Sequence, residues 1–173
     1  MAFDIGGLLQ QYLGRSGSQP EPNAPHHYDQ VAQNASPQAV SQGLADAFRS
    51  NDTPPFGELV GQLFRQATPE QRAGMLGTLL SALGPSAASI LERSGTQGVL
   101  GTASSTTTAV SPQQASQVTP AQVQQIAEHA EASNPGVVDR LSAFYAQHPQ
   151  LVKTLGTAAL TIALAKIANV MKR

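Results

Sequence analysis

Residues 53–84, TPPFGELVGQLFRQATPEQRAGMLGTLLSALG, decide how this chain folds. Phe56, Leu59, Val60, Leu63 and Phe64 recur at i, i+3, i+4, i+7 and i+8, which places five large apolar side chains on one stripe of a helix. Met75, Leu76, Leu79, Leu80 and Leu83 repeat the rule in the following segment, which Gly84-Pro85 closes. Between the two stands Thr68-Pro69-Glu70-Gln71. A proline at the first helical position gives up an N–H that has no intrahelical partner, and its φ is already close to helical. The residue before it is pushed out of the α region and suits the cap, while a Gln three residues after the Thr completes a capping box.

The same start recurs along the chain: Ser36-Pro37, Ser111-Pro112 with Gln114, Thr119-Pro120 with Gln122, Asn134-Pro135 and His148-Pro149, with Thr53-Pro54 as a further case. Intervals between these prolines of 32, 43, 8, 15 and 14 residues have no fixed period, which argues against a solenoid or array. The pattern marks helix starts rather than a repeated ligand or phosphorylation motif. Around Thr119, Val118 and Val123 are placed to form a hydrophobic staple.

Working outward, residues 1–14 read as an N-terminal helix with Asp4 as N-cap and Ile5, Leu8, Leu9 and Tyr12 or Leu13 on one side. Residues 15–27 hold three of the twelve prolines and read as a flexible linker. Residues 28–94 read as an N-terminal helical subdomain, in which SPQAVSQGLADAFRSN aligns Val40, Leu44 and Ala47 or Phe48. Residues 95–118, with small hydroxyl residues at 104–108, read as a Ser/Thr/Gly-rich linker longer than connections inside a compact domain usually are. Residues 119–173 read as a C-terminal three-helix subdomain, ending in one long helix from His148. The fold class is therefore all-α: helical bundles of about six to eight short helices with flexible N-terminal and central linkers.

Composition agrees. Of the 173 residues, 40% are hydrophobic but only 5% aromatic, with no Trp, so a core of Leu, Val, Ile and Ala favours close-packed helices. The absence of cysteine rules out disulfides, thiolate metal sites and cysteine nucleophiles. A net charge of −1 lacks the basic footprint of a nucleic-acid binder. The charge is unevenly spread: from His148 onward stand Lys153, Lys166, Lys172 and Arg173 and no acid, so this tail carries +4, while six basic against eleven acidic residues leave the rest at −5. The N-terminus lacks a positive n-region, and in the C-terminal helix the uncharged stretch 154–165 is shorter than the ~20 residues a bilayer span needs, while Leu151 to Met171 contains Lys153 and Lys166. The expected location is cytoplasmic, with weak peripheral membrane contact as the alternative.

No GxSxG, HExxH, P-loop or GxGxxG motif is present. His26-His27-Tyr28-Asp29 is the densest group of potential ligands, but adjacent histidines point differently and a zinc site needs further ligands. His129 beside Glu128 and Glu131 reads as a solvated helix face, and His148 as a cap. No catalytic residue, metal site or cofactor is expected. Two features stand out instead. Gly57, Gly61, Gly74 and Gly77 lie inside helices, where each costs ~1 kcal/mol against Ala unless a close backbone approach offsets it. They define a face for intramolecular packing or for a partner, either another protein or a second copy of the chain. In the C-terminal helix, Leu160 and Leu164 lie among apolar residues followed by Lys166, Lys172 and Arg173, an arrangement for burial or for an anionic membrane surface.

GGLLQQYLG, GELVGQLF, GMLGTLLSALG and the Thr/Ser-Pro-x-Gln starts resemble the YidB-like small helical bacterial proteins, a domain-of-unknown-function type. The resemblance implies an all-helical bacterial protein and transfers no active site. The expected function is a non-enzymatic protein-interaction or structural module. The alternatives are a peripheral membrane or envelope-associated protein acting through its basic C-terminal helix, and a hydrolase of unrecognised type.

Overall fold

The computed structural model describes residues 4–13, 21–95, 98 and 110–172, and every regular element among them is helical. In chain order these are α1 (Ile5–Gln10), α2 (Ala24–Asn34), α3 (Pro37–Phe48), α4 (Phe56–Gln66), α5 (Pro69–Leu83), α6 (Ala87–Ser94), α7 (Pro112–Gln117), α8 (Pro120–Ser133), α9 (Val137–Ala146), α10 (Pro149–Val152) and α11 (Thr157–Lys172). Two 3-10 turns, Gly84–Ser86 and Lys153–Leu155, join them. The all-α class read from periodicity is the observed one, with eight helices of seven residues or more among the described residues.

The proline starts do the work read from the sequence. Thr68, Ser111 and Thr119 each accept the N–H of the Gln three residues on, at 3.2 Å, and that Gln's side chain accepts the cap residue's own N–H at 2.9–3.1 Å. Ser36 caps α3 through the Ala39 N–H, and Asp4 caps α1 through the Gly7 N–H. Two positions differ. The Thr53 hydroxyl donates to the Ala47 and Ser50 carbonyls and so ties off the end of α3 rather than starting α4. At the N-cap of α10 the His148 side chain does not cap; its Nδ1 bonds the Phe144 carbonyl at 2.8 Å and its ring stacks on Phe144.

The chain forms two compact units: Met1–Pro55 with Ser142–Arg173, and Phe56–Leu141, the division falling inside α9. In the first, α11 packs on α3, α2 and α1. The closest approach is at Gly43, where an added Cβ would stand 2.2 Å from Ile167 Cγ1, 2.7 Å from its Cα and 2.8 Å from its amide nitrogen. The helices cross here nearly backbone to backbone, and Val40, Leu44, Phe48, Leu160, Leu164 and Ile167 are buried. The buried Thr161 hydroxyl donates to the Thr157 carbonyl at 2.7 Å and accepts the Glu21 N–H at 2.9 Å, which satisfies it fully. In the second unit α8 packs against α4, α5 and α6, and α7 packs on α5. The apolar stripes of α4 and α5 read from the sequence are buried at every position.

Several sequence boundaries are revised. Of the proposed linker 15–27, residues 24–27 form the first turn of α2, with Ala24 fully buried; 14–20 lie outside the described residues. Of the proposed linker 95–118, residues 112–117 form α7, while most of 96–109 lies outside the described residues. The compact units also divide the chain differently from contiguous subdomains at 28–94 and 119–173, since α8 joins α4 and α5 while α11 joins α3. Periodicity shows which side of a helix is apolar but not which helix covers it. The long C-terminal helix is broken at Gly156, whose φ of +96° suits glycine, and the Thr154 hydroxyl bonds the Leu151 carbonyl just before it.

Read as one 26-residue run, Pro69–Ser94 is long and apolar enough to cross a bilayer, with mean hydropathy 1.4 over its best window; no other helix among the described residues is. Half of that window is buried in the folded chain, and Gly84, at φ +55°, interrupts it. The sequence reading missed the run because it treated α5 and α6 separately.

Thr119→Ala removes one capping box and is expected to lower stability by ~1 kcal/mol, read as a shift of the urea midpoint at unchanged slope. Gly43→Ala forces α3 away from the Ile167 backbone. Overpacking of this kind costs ~1–3 kcal/mol or more and exceeds the ~1 kcal/mol that Ala gains over Gly in a helix. The urea midpoint of Gly43→Ala should therefore fall; an unchanged or raised midpoint would contradict the crossing.

Candidate functional site

Gly57 and Gly61 face α8. A Cβ at Gly57 would stand 2.4 Å from Glu128 Cγ and 3.0 Å from the Gln124 carbonyl oxygen, and one at Gly61 would stand 3.2 Å from the Pro120 carbonyl oxygen. This part of the expected glycine face is consumed by packing within the second unit. Gly74 and Gly77 lie half-buried on α5, where the Gly74 carbonyl accepts the Thr78 hydroxyl. Leu160 and Leu164 are fully buried, so the apolar face expected to meet a membrane is already covered. Lys166 is half-buried, Lys172 exposed, and Arg173 lies outside the described residues.

The His26–Asp29 group lies on α2, where its members take separate partners. His26 contacts Gln30, Asp29 pairs with Lys153 at 3.7 Å, and His27 Nδ1 bonds the Tyr12 hydroxyl at 2.5 Å with the rings edge to face. Among the described residues no group of three or more His, Cys, Asp or Glu side chains could hold a metal ion. The Tyr12–His27 contact matters for another reason: Tyr12 is fully buried, and the bond pins the end of α1 to α2.

Pinned there, α1 and the turn that follows it present Gly6, Leu9, Gln10 and Leu13 opposite Ala168, Met171 and Lys172 at the end of α11. The space between them is a mainly apolar cavity of about 320 Å³. It exists because Gly6 and Ala168 contribute almost no side chain to fill it. Met171, 42% exposed, is the one large apolar side chain exposed among the described residues. On the other side of Lys172, the last turn of α3 and the end of α11 flank an open polar cleft of about 630 Å³ lined by Asp46, Arg49, Ser50, Lys166, Asn169 and Lys172. Three cations face one carboxylate in this cleft, and Lys172 lines both spaces. The Ser50 hydroxyl accepts the Asp52 N–H at 3.1 Å, a turn contact.

The sequence reading named Lys166 and Lys172 but missed the wall opposite. Leu9 and Leu13 were legible on the apolar side of the first helix, whereas Gly6 was not singled out; that Ala168 and Met171 lie across from them depends on how α1 docks. Gly43, which sets the height of α11 on α3, was visible only as one more helical glycine.

Among the described residues the hydroxyls of Tyr28, Ser142 and Tyr145 are buried without a hydrogen-bond partner. Burial pushes the Tyr28 and Tyr145 hydroxyls well above the ordinary 10.0. Comparison with family models, with curated proteins and with solved structures finds no match for this chain.

The two tyrosines fix an alkaline limit. Their folded-state pKa values lie above the unfolded value of 10.0, so the unfolded chain releases protons first as pH rises. Stability from this source is complete below pH 10 and declines above it. Circular dichroism melts across the alkaline range should show the melting temperature falling above about pH 10, and a Tyr28→Phe/Tyr145→Phe chain should lose much of that dependence.

Proposed function

We propose that this chain is a non-enzymatic helical binding module that acts by interaction through its first unit, as a bacterial protein of YidB-like type. One observation carries the reading: an apolar cavity opens beside a cationic cleft at the end of α11, where Met171 is the one large apolar side chain exposed among the described residues. Small-molecule and peptide sites have this composition, mostly apolar walls with a few placed polar groups. The side chains most often recruited for chemistry are engaged elsewhere: His27 with Tyr12, His148 with the Phe144 carbonyl, and Asp29 with Lys153. The hydrolase reading would need a cluster of polar side chains brought together by folding, and the lining of the cleft offers Asp46, Ser50 and Lys166 without a histidine.

Membrane association is the second reading, favoured by the exposure of Met171 and Lys172 at one helix end. It loses Leu160 and Leu164, because a peripheral helix binds through an apolar face that is free to enter the headgroup region.

A neutral apolar dye, N-phenyl-1-naphthylamine, tests the binding reading without invoking charge. The wild-type chain should enhance its fluorescence at saturable stoichiometry. Gly6→Leu, which fills the cavity from a site where an added Cβ meets only the Asp4 side chain, should abolish the signal at unchanged circular dichroism. Ala168→Leu fills it from the other wall and should do the same. Absence of dye binding by the wild-type chain sinks the proposal.

A further inference from the structure

We infer that the cavity between α1 and α11 takes a single-chain anionic amphiphile, with the hydrocarbon chain between Leu9, Leu13, Ala168 and Met171 and the acidic head at Lys172 and Lys166. This deepens the binding reading above and rests on it. Three features of the site select the ligand class. The cavity, about 320 Å³, stands at the low end of the ~300–1,000 Å³ range of small-molecule pockets, which suits one chain rather than two. Its walls are apolar apart from Gln10 and Lys172, so the buried part of the ligand must be apolar as well. At its rim Lys172 also lines the neighbouring cleft with Lys166, so a negatively charged head emerging from the cavity faces two ammonium groups. Neither Lys166 nor Lys172 has an ion-pair partner among the described residues.

A bilayer surface is the other source of acyl chains and anionic heads, and it fits less well. Surface docking requires a contiguous exposed apolar face, whereas among the described residues Met171 is the one exposed large apolar side chain and Leu160 and Leu164 are covered. A monomeric amphiphile needs only the cavity. Lys172 also has a purely structural role to compete with: in the last turn of α11 it offsets the partial negative charge of the helix C-terminus. Any loss of ligand affinity must therefore be read beside a stability measurement.

The experiment uses the full chain and three probes of equal chain length, each below its micellar concentration: dodecanoate, dodecyltrimethylammonium and dodecyl maltoside. Isothermal titration should show one dodecanoate bound per chain, weakened by salt, with the neutral probe roughly fivefold weaker and the cationic probe weaker still. Lys166→Glu/Lys172→Glu should lower dodecanoate affinity roughly tenfold, a loss that exceeds any accompanying change in the affinity for dodecyl maltoside. Equal affinity for the three probes, or an unaltered dodecanoate affinity in the charge-reversed chain, overturns the anionic assignment and leaves the apolar binding site standing. Binding to phosphatidylglycerol vesicles without binding of monomeric dodecanoate overturns it in favour of the membrane. Failure of the neutral dye alone marks failure of the underlying binding reading.

Discussion

At Gly43 the backbone of α3 comes within van der Waals reach of the backbone of α11 at Ile167, and no residue with a Cβ fits between them. The first unit depends on this contact. Helices usually pack at 8–10 Å, a spacing set by the side chains at the contact; removing the side chain at one point lets them approach closely and bury Val40, Leu44, Leu160 and Leu164 around it. Glycine costs helix stability in isolation, so its place here is justified only by that packing. The second unit uses the same device at Gly57 and Gly61 against α8, where carbonyl oxygens of Gln124 and Pro120 line the contact.

The candidate site follows from the crossing. Two helices that touch at one point and cross diverge on either side of it. One turn beyond Gly43, Asp46, Arg49 and Ser50 face Lys166, Asn169 and Lys172 across a cleft rather than meeting them. On the other flank α1 is held by the bond from Tyr12 to His27, and the small residues Gly6 and Ala168 leave the adjacent gap unfilled. An apolar cavity and a charged cleft thus share a wall at Lys172 without any loop to build them.

The charge asymmetry of the chain acquires a spatial meaning in the same unit. Of the four basic residues after His148, Lys153 pairs with Asp29 on α2 and is spent on structure, whereas Lys166 and Lys172 line the cleft. Buried polar groups show a similar division. Thr161 satisfies both its donor and its acceptor roles and anchors residue 21 to α11, while Tyr28, Ser142 and Tyr145 contribute bulk to the core at the cost of unpaired hydroxyls.

By itself the sequence determined the all-helical class, the starts marked by capping boxes and the buried stripes of α4 and α5, because these are local properties. The capping boxes at Thr68, Ser111 and Thr119 are closed within four residues, and the stripes of α4 and α5 are set by a period of 3.6. The tertiary structure decided which stripe meets which. That α8 covers α4 and α11 covers α3 depends on contacts between residues such as Gly43 and Ile167, whose separation along the chain leaves no periodic trace. The site belongs to this second class. Gly6, Leu9 and Leu13 become a cavity wall, and Lys172 its charged rim, only when packing brings the first helix against the last.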